Sequence, residues 1–139
     1  MNTDDTPLAE AGYIAATADE LARTTGADKA AAGVSQKVLF RRRGRIALYP
    51  DRLVLTDWSD TGDLTLTRTD ITAAQTRFTK LYGRFIGGLL NAGKPLILTT
   101  TNPFAGEIYL LINRHEFMET TDDRKWEKRI NDWRASQLR

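Results

Sequence analysis

Gly44-Arg45-Ile46-Ala47-Leu48-Tyr49-Pro50-Asp51-Arg52-Leu53-Val54-Leu55-Thr56-Asp57-Trp58 sets two alternating apolar runs on either side of Pro50-Asp51. Ile46 and Leu48 share one face of the first run, and Leu53 and Leu55 share one face of the second. Side chains alternate across a strand, so each run predicts one face in a core and one in water. Proline presets the dihedral at a turn's second position and aspartate suits the next, so the stretch reads as a hairpin. It sets the expectation of a small antiparallel β domain.

The same alternation continues on both sides. Strands are expected near 36–42, 45–49, 52–57, 63–67, 71–78, 95–101 and 107–113. Turn chemistry separates them at Arg43-Gly44, Pro50-Asp51, Ser59-Asp60-Thr61-Gly62, Asn91-Ala92-Gly93 and Asn102 to Gly106. Short strands with brief connections predict a seven-stranded antiparallel barrel or sandwich. The segment 79–93 is longer than a hairpin needs and holds Leu81, Tyr82, Phe85, Ile86, Leu89 and Leu90 among glycines.

A helix is expected over 122–137. Thr120 or Thr121 can cap it, and Asp122 and Asp123 suit its first turn, where the helix dipole favours negative charge. Trp126, Ile130, Trp133 and Gln137 fall on one stripe, with Arg124, Lys128, Asp132 and Arg139 elsewhere. Two indoles on one stripe bury a large aromatic area against an open barrel end.

At the N-terminus, Thr6-Pro7 reads as a helix start. Leu8, Ala11, Ala15, Ala18 and Leu21 or Ala22 recur at helical spacing, with Gly26 as a stop. An alanine stripe buries little area, so this helix needs the β domain or a second copy of the chain to pack on. A further helical turn is expected over 28–32, ended by Gly33. The chain thus divides into an acidic helical leader, 1–33, and a β domain with a C-terminal capping helix, 34–139.

A hydrophobic fraction of 41% and a charged fraction of 27% place the chain among globular proteins. No apolar run approaches the roughly 20 residues that span a bilayer, and the Asp4-Asp5 terminus is unlike a secretory signal. With no cysteine there is neither a disulfide nor a thiolate ligand. A cytoplasmic setting is expected, peripheral to the membrane if the ligand is lipid. Charge is uneven: Asp4, Asp5, Glu10, Asp19, Glu20 and Asp28 precede a β region rich in lysine and arginine.

The Leu39-Phe40-Arg41-Arg42-Arg43-Gly44-Arg45 run, the hairpin after it, Thr69 to Ala74, the Gly93-Lys94-Pro95-Leu96-Ile97-Leu98-Thr99 strand and the tryptophan-bearing final helix resemble the pleckstrin-homology (PH)-like superfold. The likeness is to its GRAM and bacterial PH-like branches and spans 35–139. It implies a barrel plugged by the last helix and a module that binds phosphoinositides, peptides or proteins. Fold alone does not choose among these.

The candidate ligand-binding residues are Lys37, Arg41, Arg43 and Arg45, helped by Lys80 and Arg84. Arginine forks match phosphate oxygens, and the Lys37 to Arg45 arrangement resembles one that holds inositol phosphates in some PH domains. Against this, alternation splits the run, and solvated turn charges explain the same residues. Lys80 and Arg84 beside Phe85 to Leu90 fit a membrane-dipping loop, or a loop folded over the barrel mouth.

Asp57 to Asp63 has oxygen side chains spaced like a calcium loop, but Arg68 stands where the bidentate acid belongs. Asp60-Thr61-Gly62 matches the short string of aspartic proteases, but Trp58-Ser59 precedes it where an apolar strand belongs and charged Asp63 follows, so a polar hairpin loop is the preferred reading. His115 is the only histidine, and no serine sits in a nucleophile elbow. The expectation is therefore a non-enzymatic binding module without cofactor or metal. Its partner would be a protein or an anionic phospholipid surface, and the N-terminal helix would be a contact between two copies. A nucleic-acid-binding module using the Lys37–Arg45 face is the alternative. It ranks lower because only Tyr49 and Tyr82 offer stacking surfaces.

Overall fold

The computed structural model describes residues 6–23, 40–77, 79, 94–103, 105–113 and 122–136. Seven antiparallel strands form one sheet: β1 (Ala9–Thr17), β2 (Arg42–Leu48), β3 (Leu53–Ser59), β4 (Gly62–Leu66), β5 (Ile71–Thr76), β6 (Leu96–Thr100) and β7 (Glu107–Ile112). A short helix, α1 (Ala18–Ala22), follows β1, and a long one, α2 (Asp123–Ser136), closes the described chain. The sheet order is β4-β3-β2-β1-β7-β6-β5, curled into a half-barrel. Among the described residues no helix is long and apolar enough to cross a membrane.

The opening hairpin forms as its sequence dictates. Ile46, Leu48, Leu53 and Leu55 are all buried on the concave face, and Tyr49 N–H donates to Arg52 O across Pro50-Asp51 at 2.8 Å. Val54 and Ala47 face each other on the opposite side. Leu64 and Leu66 of β4, Ala11, Tyr13 and Ala15 of β1, and Ile108, Leu110 and Ile112 of β7 extend the same concave core.

Two expectations are corrected. The stretch Ala9–Thr17 is a strand, not a helix, and it lies at the middle of the sheet between β2 and β7. The idea of a helical leader ahead of a separate β domain gives way with it, leaving only the five-residue α1 among the described residues of that region. The strand wins because both its faces are covered. Tyr13 and Ala15 point into the concave core, while Ile14 and Ala16 join Leu21, Phe40, Ile97, Tyr109 and Leu111 in a second cluster on the convex side. The second correction is at Arg43-Gly44, which is no turn. β2 runs straight through it, with Arg42 to Leu48 opposite Ala15 to Ala9. The remaining expectations at 28–32 and 80–93 lie outside the described residues, as do Gly26, Thr120, Thr121 and His115.

Helix α2 carries Trp126, Ile130 and Trp133 at helical spacing, and all three are buried against the concave core. Its start is tied to the end of β7. Asp122 N–H donates to Ile112 O at 2.8 Å, and Ile112 N–H donates to Asp123 Oδ1 at 2.7 Å. At its other end, Trp133 Nε1–H donates to Pro50 O at 3.1 Å, joining the helix to the opening hairpin.

Candidate functional site

Arg42 opens β2 opposite Ala15, on the concave side and at the end of the sheet where α1 begins. Thr17 caps α1. Its hydroxyl accepts from Glu20 N–H at 3.1 Å, and Glu20 Oε1 accepts from Thr17 N–H at 2.9 Å, a reciprocal capping box. That box fixes the Glu20 carboxylate. Arg42 then forks onto it, with Nε–H to Oε1 at 3.1 Å and Nη2–H to Oε2 at 2.7 Å. Arg42 Nη1–H donates to Trp58 O at 2.5 Å, and the guanidinium lies 4.4 Å from the centre of the Trp58 ring. One side chain therefore joins α1, β2 and β3. Burial works against the charge on Glu20. The hydrogen bonds from Arg42 and Thr17 and the charge of Arg42 outweigh it, holding the carboxyl below its ordinary value.

Beside this clamp β2 and β3 part from their ladder. Regular pairing runs only from Ile46↔Leu55 to Leu48↔Leu53, and Asp57 adopts a left-handed φ of 55°. Side chains replace the missing bonds: Arg45 N–H donates to Thr56 Oγ1 at 2.9 Å, and Tyr13 O–H donates to Thr56 O at 2.7 Å. Burial pushes the Tyr13 phenol above its ordinary value, with Asp57 adding to it and Arg42 opposing.

Of the candidate ligand-binding residues, Arg43 and Arg45 share one face of β2. Arg43 stands opposite Ile14 and Arg45 opposite Gly12, so both lie on the convex face, away from Arg42. Arg43 is exposed, and so is Arg41. Arg45 is also exposed, yet its fork reaches Glu10 Oε1 at 3.1 Å. Lys37, Lys80 and Arg84 lie outside the described residues. No protein-family model and no curated protein matches this chain.

Asp57, Asp60 and Asp63 all sit at the β3–β4 end, exposed. Asp63 Oδ1 accepts from Asp57 N–H at 2.9 Å, so it fastens the bulge that bends β3. Among the described residues no three acidic or histidine side chains come together to hold a metal ion. The Glu20–Arg42–Trp58 clamp was not foreseen from sequence. Thr17-Ala18-Asp19-Glu20 has the spacing of a capping box and marks a helix start there, but the alanine pattern places the start eleven residues earlier, at Thr6.

Proposed function

We propose that this chain is a non-enzymatic binding module on a PH-like half-barrel and that its ligand is a protein. A final helix that buries two tryptophans against the concave face supports the plugged-barrel layout that the PH-like resemblance implies, with β1 joining the sheet from outside the 35–139 span. The observation that carries the choice of ligand is the pairing of the arginine run with acids of α1 and β1. A phosphate cradle needs several free forks converging from one side. Here Arg42 turns to the concave face and holds Glu20, while Arg45, on the convex face with the exposed Arg43, holds Glu10. Two of the strand's three arginines are thus paired within the fold, which places an anionic membrane second.

Two measurements test this reading together. The folded chain, immobilised, is expected to enrich specific sequences from a displayed random-peptide library. It is also expected to stay unbound in flotation with phosphatidylserine-containing vesicles, at low and at physiological salt. Salt-sensitive flotation without peptide enrichment reverses the order of the two readings.

A further inference from the structure

The half-barrel has two sheet edges, and among the described residues only one is sealed. On β5, helix α2 supplies partners for the outward backbone. Glu127 Oε2 accepts from Thr76 N–H, Asn131 Nδ2–H donates to Ala74 O, and Arg134 donates from Nε to Ile71 O and from Nη2 to Thr72 O. A free edge invites pairing with another chain, and this helix removes that invitation from β5.

The other edge is β4, which has β3 as its one neighbour. The ladder shows which of its groups face outward. Tyr49 and Arg52 bond each other, so by antiparallel alternation Ala47 and Val54 do too, and Leu53 and Leu55 turn their backbone groups to Leu66 and Leu64. Thr65 and Asp63 therefore present N–H and C=O away from β3. Among the described residues no further backbone bond reaches Gly62–Leu66, and Gly62, Asp63 and Thr65 are exposed.

We infer that β4 takes up an extended, basic segment of a partner protein as an eighth strand. This rests on the reading of the chain as a protein-binding module and gives that module its site. Strand addition draws affinity from main-chain bonds and specificity from alternate side chains. One side of the incoming strand meets Leu64 and Leu66 at the rim of the concave core. The other side meets Asp63, with Asp57 and Asp60 at the same end, and among the described residues none of these three carboxylates forms an ion pair. The occupant that fits is a strand alternating apolar and lysine or arginine residues. A second copy of this chain fits less well, since edge-to-edge pairing places two Asp63 carboxylates on one face without a cation.

Amide-resolved NMR titration of the full chain tests this, using a capped peptide that alternates lysine with valine and a control that alternates glutamate with valine. The lysine peptide is expected to perturb and protect the Asp63 and Thr65 amides and to bind about tenfold more tightly than the control. Thr65→Pro removes an outward N–H at an edge position that tolerates proline, so it should abolish binding while leaving the α2 signals in place. Should that variant fail to fold, Asp60→Lys with Asp63→Asn supplies the second arm and should reverse the preference between the peptides. Equal binding of both peptides, or lysine-peptide binding that leaves Thr65 unperturbed, overturns the inference. Concentration-dependent protection of Thr65 without peptide overturns the occupant in favour of self-pairing. If library peptides bind elsewhere on the chain, the edge site fails and the binding-module reading stands; if no peptide binds at all, both fail.

Discussion

Gly44 lies where β3 approaches β2 too closely for a side chain. A Cβ there would fall onto the carbonyl of Thr56, far inside contact distance. Tyr13, the residue opposite Gly44, sends its hydroxyl across to that same carbonyl. Gly44→Ala must push the strands apart and is expected to cost about 1–3 kcal/mol, read as a lower urea midpoint at unchanged slope. Tyr13→Phe leaves the Thr56 carbonyl short of a donor, at about 1–2 kcal/mol. Because the native phenol titrates above its ordinary value, its contribution is complete below pH 10.0 and is lost as the pH climbs beyond it. The phenylalanine variant should lack that alkaline loss.

Glu20 has the opposite sign. Its native carboxyl titrates below the ordinary 4.5, so the Arg42 clamp contributes fully above that pH and is lost as acid protonates the carboxylate. Glu20→Gln should flatten this part of the acid limb in a pH series of denaturation midpoints. Both partners are partly exposed, so solvent screening keeps the effect modest.

At the scale of elements, α2 does two different jobs with two faces. Trp126, Ile130 and Trp133 fill the concave core, and Trp126→Ala is expected to cost about 3–5 kcal/mol by thermal or urea unfolding. The flanking Glu127, Asn131 and Arg134 close the β5 edge. Asn131→Ala with Arg134→Ala should keep the tryptophans buried but free β5 to pair. The checking measurement is sedimentation velocity over a range of concentrations, where the double variant should self-associate more than the parent. The tryptophan stripe was legible because a half-buried helix writes its period in large residues. Strand β1 was not, because from Tyr13 to Thr17 it is buried on both faces and the strand is rich in alanine, which leaves little polar alternation to mark it. Alanine's helical preference then decides the reading, and only the packing of Tyr13 and Ile14 on opposite sides reverses it. The polar clasp between α2 and β5 was equally hidden, since it joins residues far apart in sequence through backbone groups that carry no residue identity.

Across the whole molecule, the acidic and basic segments that alternate along the sequence are laid side by side. Glu10 and Glu20, from the acidic start of the chain, hold Arg45 and Arg42 of the basic region. Part of the charge asymmetry is therefore paired inside the fold, which sequence order alone could not disclose. The same arrangement makes the first strand the bridge between two halves: β4-β3-β2 on one side and β7-β6-β5 on the other, joined only through β1 in the sheet order. Gly12 and Asn113, 101 residues apart in sequence, exchange bonds there, Asn113 N–H to Gly12 O at 2.9 Å and Gly12 N–H to Asn113 Oδ1 at 3.3 Å. Removing residues 1–23 should thus uncover β2 and β7 together and abolish cooperative unfolding of the remainder. A synthetic peptide covering 6–23, added in trans, should restore dispersed amide signals. A fragment 24–139 that unfolds cooperatively by itself would show that the two halves close without β1, against the central place the sheet order gives it.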